Sequence, residues 1–305
     1  MKINRILLFG STGMLGSYIA KYFCGEDFEL VNVEYRVTRD NLPNLEQVLI
    51  EHLIGDDSCI INCIGAIPQR FSGKPDADYY LVNSIFPQIL SSICQRYNAK
   101  MIQPTTDCVF SGKREEGRYT ENDQPDETGH YGMSKSLGEP ANCTVIRTSI
   151  IGREIHNKQS FLEWVLSNSA KNAGHEVVGV RGFAGEISLA QRRESRKSNG
   201  KEISGWNNHY WNGITCLEYC KIIRRIIDED LFWCGVRHVF SPTPVSKFEL
   251  ARMITSAFGE KDRIRVLNVE CKTPVNKTLD TKYERLFEIG ELLDQLNELK
   301  RFALI

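Results

Sequence analysis

Seven residues near the start, "GSTGMLG" from Gly10 to Gly16, restrict this chain more than any other feature. They follow an apolar run, "RILLF", and lead into "SYIAKYF", which reads as a helix. Glycine at every third position permits a tight turn, lets backbone N–H groups close on an anion, and lets helix pack hard on strand. A helix that begins there turns its positive end toward the loop. The spacing G-x-x-G-x-x-G at a strand-to-helix junction therefore points to a dinucleotide site. Its expected lining is Gly10, Ser11, Thr12, Gly13, Met14, Leu15 and Gly16.

The first half keeps the same rhythm, with "FELVNV", "CIINCIG", "KMIQPTT" and "TVIRTSI" as further strands separated by helical patterns. That alternation predicts an α/β fold, a Rossmann-type doubly wound parallel sheet with helices on both faces. Leu81, Ile85, Ile89 and Ile93 recur at four-residue steps, a stripe expected to cover the sheet. The second strand should end near "EYRVTRDN", where an adenosine ribose would lie. Arg36 or Arg39 there could hold a 2′-phosphate, which favours NADPH over NADH; either could equally be an exposed edge charge. Asp40 is a further candidate for the adenine or ribose. "INCIGA", Asn62 to Ala66, would bring Cys63, Ile64 and Gly65 beside the cofactor, or simply end a strand.

Composition narrows the class of partner. The 305 residues are 41% hydrophobic and 25% charged, enough to bury a sizeable core as one large or two modest domains. A formal net charge of −1 gives no global case for nucleic acid or an anionic membrane, so a small molecule is the expected partner. The opening apolar run is too short before Gly10 to read as a signal peptide or membrane span. Ten cysteines without a CxxC pair suggest free thiols in a reducing, cytoplasmic setting, and Cys63 and Cys108 pack as small apolar groups on the plainer reading.

In "HYGMSKSLGE", His130 to Glu139, Tyr131 and Lys135 stand one helical turn apart and would share a face. A phenol titrates near pH 10, but an adjacent ammonium favours the phenolate and brings proton transfer within range. Upstream, "QPTTDCVFSG" is a strand end and turn that would set the Thr106 hydroxyl over the ligand crevice, to polarise a carbonyl or merely to cap the turn. Thr106, Tyr131 and Lys135 are thus the candidate catalytic set, with Tyr131 and Lys135 also touching the cofactor.

Beyond Arg153 the rhythm loosens. "SNSAKNAGHEVVGVRGFAGEISLAQRRESRKSNGKEISG" shows no sustained period and reads as a loop, or a hairpin with a mobile basic tail; the basic run is a solvated surface before it is an anion site. "SKFELARMITSAFG" reads as a helix, with a capping box at Ser246 and Glu249 and a stop at Gly259. "YERLFEIGELLDQLNELKRF" is expected to be a terminal helix. "SGWNNHYWNGIT" offers rings and amides suited to a base or sugar, so Asn207, His209, Trp211 and Asn212 are substrate candidates, though each could be structural. Gln69 and Arg70 could reach a diphosphate or form a surface loop.

In sequence, "GSTGMLG", "TTDCVFSG", "HYGMSKSLGE" and "VIRTSIIG" resemble the motifs of the dTDP-4-dehydrorhamnose reductase family of the extended short-chain dehydrogenase/reductase superfamily. "NGITCLEYCKII", "RHVFSPTPVSKFEL" and "NKTLDTKY" look like its later segments. The resemblance implies a Rossmann domain over residues 1–152 with returning segments at about 206–242. Residues 153–205 and 243–305 would then form a smaller C-terminal substrate-binding α/β region. It further implies NADPH, with NADH as an alternative, reducing a nucleotide-linked 4-keto-6-deoxy sugar held by Thr106 and Asp107. Tyr131 would be the general acid, Lys135 its partner and Thr106 the carbonyl-orienting hydroxyl. A homodimer is the assembly implied.

Several departures bear on this. Related dehydratases carry T-D-E where this chain has Thr106-Asp107-Cys108, so loss of water is not expected. Between Thr148 and Asn212 the chain is about thirty residues longer than the family's usual spacing, an insertion placed at about 172–202. Some members bind a metal through a glutamate near the position of Tyr18, so no metal is expected here. The rival activities are a nucleotide-sugar epimerase or epimerase-reductase, and a non-catalytic NADP-binding regulatory subunit resembling the β subunit of methionine adenosyltransferase.

Overall fold

The computed structural model describes residues 2–302 apart from 26, 72, 74, 115, 157 and 169–200, together with the backbone alone at Arg70. The expected insertion therefore lies outside the described residues up to position 200. Its last two positions, Lys201 and Glu202, open a strand.

The first half runs β1 (Arg5–Phe9), α1 (Met14–Tyr22), β2 (Glu29–Val33), α2 (Leu45–Glu51), β3 (Ser58–Asn62), α3 (Pro68–Phe71) and α4 (Asp76–Tyr80). A π-turn over Leu81–Ile85 leads into α5 (Phe86–Arg96), then β4 (Lys100–Thr105), α6 (His130–Leu137), β5 (Thr144–Arg147) and β6 (Ile150–Ile151). The second half adds α7 (Phe161–Ser167), β7 (Lys201–Trp206), β8 (His209–Trp211), β9 (Ile214–Thr215), α8 (Cys216–Asp228) and β10 (Gly235–His238). It closes with β11 (Val245–Ser246), α9 (Lys247–Phe258), β12 (Ile264–Val269), β13 (Val275–Asn276) and α10 (Leu292–Arg301).

Six strands form one parallel sheet in the order β10-β5-β4-β3-β1-β2. Alternate residues supply its two faces. Ile6, Leu8, Ile61 and Ile146 join Tyr18 and Ile19 of α1 and Ile223 of α8 in one core. Leu7, Phe9, Ile60 and Val145 join Leu49 of α2 and Phe86 and Leu90 of α5 in the other. The sheet is thus covered on both sides, which is why β3 is buried along its whole length. Growth of the sheet reverses between β1–β2 and β3, so a crevice opens between the carboxyl ends of β1 and β3.

The stripe on α5 needs correction. Ile85 is 46% exposed, whereas Val82, Phe86, Leu90 and Ile93 are buried. The π-turn inserts an extra residue into the helical register and rotates the face that meets the sheet. The terminal helix is also shorter than expected. Residues 283–291 are not helical, and Leu286, Phe287 and Ile289 pack as an extended strap against the core.

Small sheets build the rest: β7 with β12, β11-β8-β13, and β6 with β9. The return to the large sheet comes at β10, while β8, inside the expected returning segment, pairs with β11 and β13. The capping box forms as expected, with Ser246 and Glu249 exchanging hydrogen bonds and Gly259 ending α9 at φ +77°.

Candidate active site

The glycine loop takes the form its spacing requires. Gly10 has φ +75°, and a Cβ there would lie 2.9 Å from the carbonyl carbon of Cys63. At Gly16 a Cβ would fall 2.1 Å from the Gly10 carbonyl oxygen, so only glycine lets α1 start so close to the turn. Gly13 precedes α1 with extended backbone and no side-chain cap, and its carbonyl accepts the first helical bond, from Ser17 N–H at 2.9 Å. The N–H groups of Met14, Leu15 and Gly16 thus have no acceptor inside the helix and sit at its positive end. This cradle fits a pyrophosphate. The side chain of Leu15 is buried in the core and Met14 packs against it, so both would contribute backbone only. Ser11 is half-buried and Thr12 exposed at the rim.

Phe9 pairs with Val33, the last residue of β2, which sets Glu34 beside the glycine loop. Glu34 is exposed there, a residue the sequence reading passed over. Arg36 is exposed two residues on, in a loop tied by the Tyr35 hydroxyl donating to Asn41 O at 2.7 Å and Asn41 Nδ2 donating to Arg36 O at 3.1 Å. Arg39 instead lines a groove between the start of α2 and α5, with Leu42, Glu46 and Arg96. Asp40 is exposed.

Across the crevice, Cys63 N–H donates to Phe9 O at 2.9 Å, which holds the segment after β3 against the glycine loop. Burial pushes the Cys63 thiol up to about 12 despite the nearby Lys135 ammonium, so it stays a thiol. Ile64 N–H donates to Asn62 Oδ1 at 3.1 Å. Gly65 faces Lys135 closely enough that a Cβ would lie 2.9 Å from Nζ.

Lys135 and Tyr131 share one face of α6. Burial lowers the Lys135 ammonium to about 8, although Cys63 and Glu139 oppose the change. Burial pushes the Tyr131 phenol up, reinforced by Cys108 and opposed by a hydrogen bond with the Thr106 hydroxyl, so it carries its proton at neutral pH. Thr106 caps the turn: its Oγ1 accepts from Cys108 N–H at 3.1 Å and donates to Asp107 Oδ1 at 3.2 Å.

What holds α6 in place is Asn83, on the π-turn and absent from the sequence reading. Its amide accepts from Ala66 N–H at 2.8 Å and donates to Ala66 O at 2.9 Å and Ser134 Oγ at 3.0 Å. Ser84 Oγ donates to Ser134 O at 2.7 Å. This clamp fixes Lys135 over Gly65. An asparagine and a serine inside an otherwise apolar helical stretch were the available signal. Behind it, Arg147 forks onto Glu139 at 3.0 and 2.5 Å, and both side chains are buried.

The expected substrate residues divide. Asp107 is buried next to Thr106, and Trp211 is buried with its ring 5.1 Å from Lys247 Nζ. Asn212 plays a structural part instead. Its amide is taken up by the Leu279 N–H and carbonyl, both at 2.8 Å, and so joins two segments rather than facing a cleft. His209 is buried against the Trp206 ring with Nε2 3.1 Å from Thr273 O, and burial lowers its pKa. Asn207 donates its N–H to Val269 O at 3.0 Å. Gln69 is exposed, and the Arg70 side chain lies outside what is described. Tyr18 is buried, with its hydroxyl accepting from Arg153 N–H at 3.0 Å. Two lysines not foreseen, Lys247 and Lys277, interact with Asp107 and Cys108.

A doubly wound sheet, a glycine cradle at its switch point and a tyrosine–lysine turn beside it are the features of the extended short-chain dehydrogenase/reductase superfamily. The chain belongs to the RmlD substrate binding domain family, whose sequence model matches residues 4–181. It is 27% identical over 155 residues to a dTDP-4-dehydrorhamnose reductase of Mycobacterium tuberculosis, covering 48% of this chain and 50% of that one. It is 28% identical over 193 residues to methionine adenosyltransferase 2 subunit beta of Rattus norvegicus, covering 56% of each. The chain thus spans about half the length of the curated relatives it matches. Among solved structures, a dTDP-4-dehydrorhamnose reductase from Bacillus anthracis in complex with NADP superposes with a TM-score of 0.74 at 21% identity, over 99% of this chain and 100% of that one.

Proposed function

We propose that the protein is an NADPH-dependent reductase, also able to use NADH, of a nucleotide-linked 4-keto sugar. The reference substrate is the 4-keto-6-deoxy sugar of dTDP-rhamnose biosynthesis. The observation that carries this reading is the convergence of Thr106, Tyr131 and Lys135 beside Gly65 and the glycine loop. The backbone of residues 10–16 and Lys135 would hold the dinucleotide, which would supply a hydride to the carbonyl carbon. Thr106 orients the carbonyl. Tyr131 gives its proton to the oxygen, so the C=O bond becomes C–H and O–H. Lys135 stabilises the phenolate left behind. The site is set in the protonation state this step needs, because burial keeps the phenol neutral.

The test is NADPH oxidation at 340 nm with dTDP-4-keto-6-deoxyglucose and its UDP counterpart, with and without a 3,5-epimerase. Tyr131→Phe should lose about a hundredfold or more of turnover while keeping its NADPH affinity. Full activity in that variant would rule out the proton transfer. Stoichiometric consumption of cofactor separates a reductase from an epimerase. The alignment with a methionine adenosyltransferase subunit supports a second reading, an NADP-binding regulatory subunit; a pull-down that captures a catalytic partner, with no sugar reduced, would favour it.

A homodimer in the cytoplasm completes the proposal. Exposed Ile85, Met133 and Leu137 on adjoining helices are consistent with a covered face. Among the described residues no helix is long and apolar enough to cross a membrane, and all ten cysteines are free. Sedimentation of the purified protein tests the dimer.

A further inference from the structure

Tyr131 is the second residue of α6, and helix ends fray first. The N–H groups of a first turn have no acceptor inside the helix, and Gly129, at the N-cap of α6, has no side chain to offer them. The clamp from Asn83 and Ser84 grips Ser134, most of a turn further on. Glu127 steadies the turn before the helix, its Oε1 accepting from Thr128 N–H at 2.9 Å and Gly129 N–H at 3.0 Å. The position of the phenol depends on what grips the residues between these two holds.

His130 is the first residue of α6 and reaches across to α4. Its Nε2 lies 3.2 Å from Asp76 Oδ2, and its Nδ1 lies 3.2 Å from the Tyr80 hydroxyl. A carboxylate oxygen can only accept, so Nε2 carries the proton of the neutral ring and Nδ1 accepts from Tyr80. Asp76 opens α4 and Tyr80 closes it, so one imidazole ties both ends of that element to the start of α6. The Tyr80 and His130 rings also meet edge to face at 5.9 Å. Between them on α4, Tyr79 belongs to the cluster with Ala66 and Val82 against which Tyr131 itself packs. Three of the five residues of α4 thus bear on the first turn of the catalytic helix. The His130 and Asp76 side chains are 50% and 64% exposed, so their charges count for little; what two partners on opposite ring nitrogens fix is direction.

We propose that His130 is a positioning residue for Tyr131: with Asp76 and Tyr80 it seats the first turn of α6 on α4 and so holds the phenol where it can give its proton to the carbonyl oxygen. This rests on the reductase reading and adds to it a residue that acts through Tyr131. Proton transfer demands close alignment, so a shift of the helix start too small to unfold anything still slows the step.

The experiment measures kcat and KM for reduction of dTDP- and UDP-4-keto-6-deoxyglucose by NADPH, with the 3,5-epimerase present. The variants are His130→Leu, His130→Gln, Tyr80→Phe and Asp76→Ala, with His130→Leu also made in the Tyr131→Phe background. His130→Leu should lower kcat about two- to tenfold, the range of the hydrogen bonds it removes, while the sugar KM and the NADPH Kd stay within about twofold. Tyr80→Phe and Asp76→Ala each remove one bond and should lose less. His130→Gln keeps a donor and an acceptor and should recover part of the rate. In the Tyr131→Phe background the same His130→Leu change should alter the residual rate less than about 1.5-fold, because residues that act as one unit are not additive. The unchanged NADPH Kd shows that the variants fold. A wild-type kcat in His130→Leu, a loss confined to KM, or an equal fold loss with and without the Tyr131 hydroxyl would overturn the positioning role and leave the reductase standing. If the wild type reduces neither sugar while NADPH binds, the reductase reading falls and this inference with it.

Discussion

Acid should unfold this protein chiefly through His238, at the carboxyl end of β10. The ring is buried; Nδ1 faces two carbonyl oxygens, Asp280 at 2.8 Å and Tyr119 at 3.2 Å, so it carries the proton. Nε2 must then accept from the Arg147 guanidinium at 3.1 Å. A second proton would place imidazolium against guanidinium inside the core. Burial, with Arg147 adding to it and Glu121 opposing, lowers the ring from its ordinary 6.5 to about 4. The unfolded chain therefore binds a proton near pH 6.5 that the folded chain refuses until about pH 4. Stability from this group is complete above 6.5 and is lost as pH falls toward 4, by about 3 kcal/mol in all. Glu121 acts in the same direction. Burial alone would raise it, but the N–H groups of His238 and Lys282 and the Thr281 hydroxyl hold it low, so it too costs stability when acid protonates it. Urea unfolding followed by tryptophan fluorescence at pH 7, 6, 5 and 4 measures the slope. His238→Gln keeps a donor and an acceptor but no titrating ring, and should flatten the profile by about 3 kcal/mol across that window. Parallel profiles for variant and wild type would refute the assignment.

Three further outcomes follow from the site. Glu139→Ala strands the Arg147 guanidinium in the core and should cost about 3–5 kcal/mol in the same urea assay; a loss under about 1 kcal/mol would mean that the pair is not buried as described. Gly16→Ala forces a Cβ into the Gly10 carbonyl and should weaken NADPH binding about tenfold or more, read by fluorescence titration, whereas retained affinity would show that the cradle does not hold the pyrophosphate. Glu34→Gln should raise the kcat/KM ratio of NADPH over NADH about five- to tenfold by removing a charge that repels a 2′-phosphate, and Arg36→Ala should lower it; no change in either ratio would place the adenosine ribose elsewhere.

Legibility in this chain follows the range of the interaction. The glycine loop, the Tyr131–Lys135 turn and the Ser246–Glu249 capping box are three- and four-residue relationships, fixed by the helix itself, and they can be read directly. Asn83 grips Ser134 from 51 residues away, and Asn212 is joined to Leu279 across 67. No local period encodes such partners, so an asparagine meant for the interior looks like one meant for a sugar. The π-turn shows the same limit in one element: a stripe that is regular in sequence loses its face when an extra residue enters the turn, the turn from which Asn83 reaches Ser134 on α6. Glu34 illustrates the boundary case. The acidic residue at the end of β2 was in plain view, but its meaning depends on whether the strand stops at Val33 or runs on toward Arg36, and only the pairing of Phe9 with Val33 settles that. Lys277 reaches Gly112 only because β13 crosses the loop after β4, where Asn276 N–H donates to Gly112 O at 2.8 Å. Contacts that one helical turn fixes can thus be read locally, whereas those that join distant segments are written in the tertiary crossing.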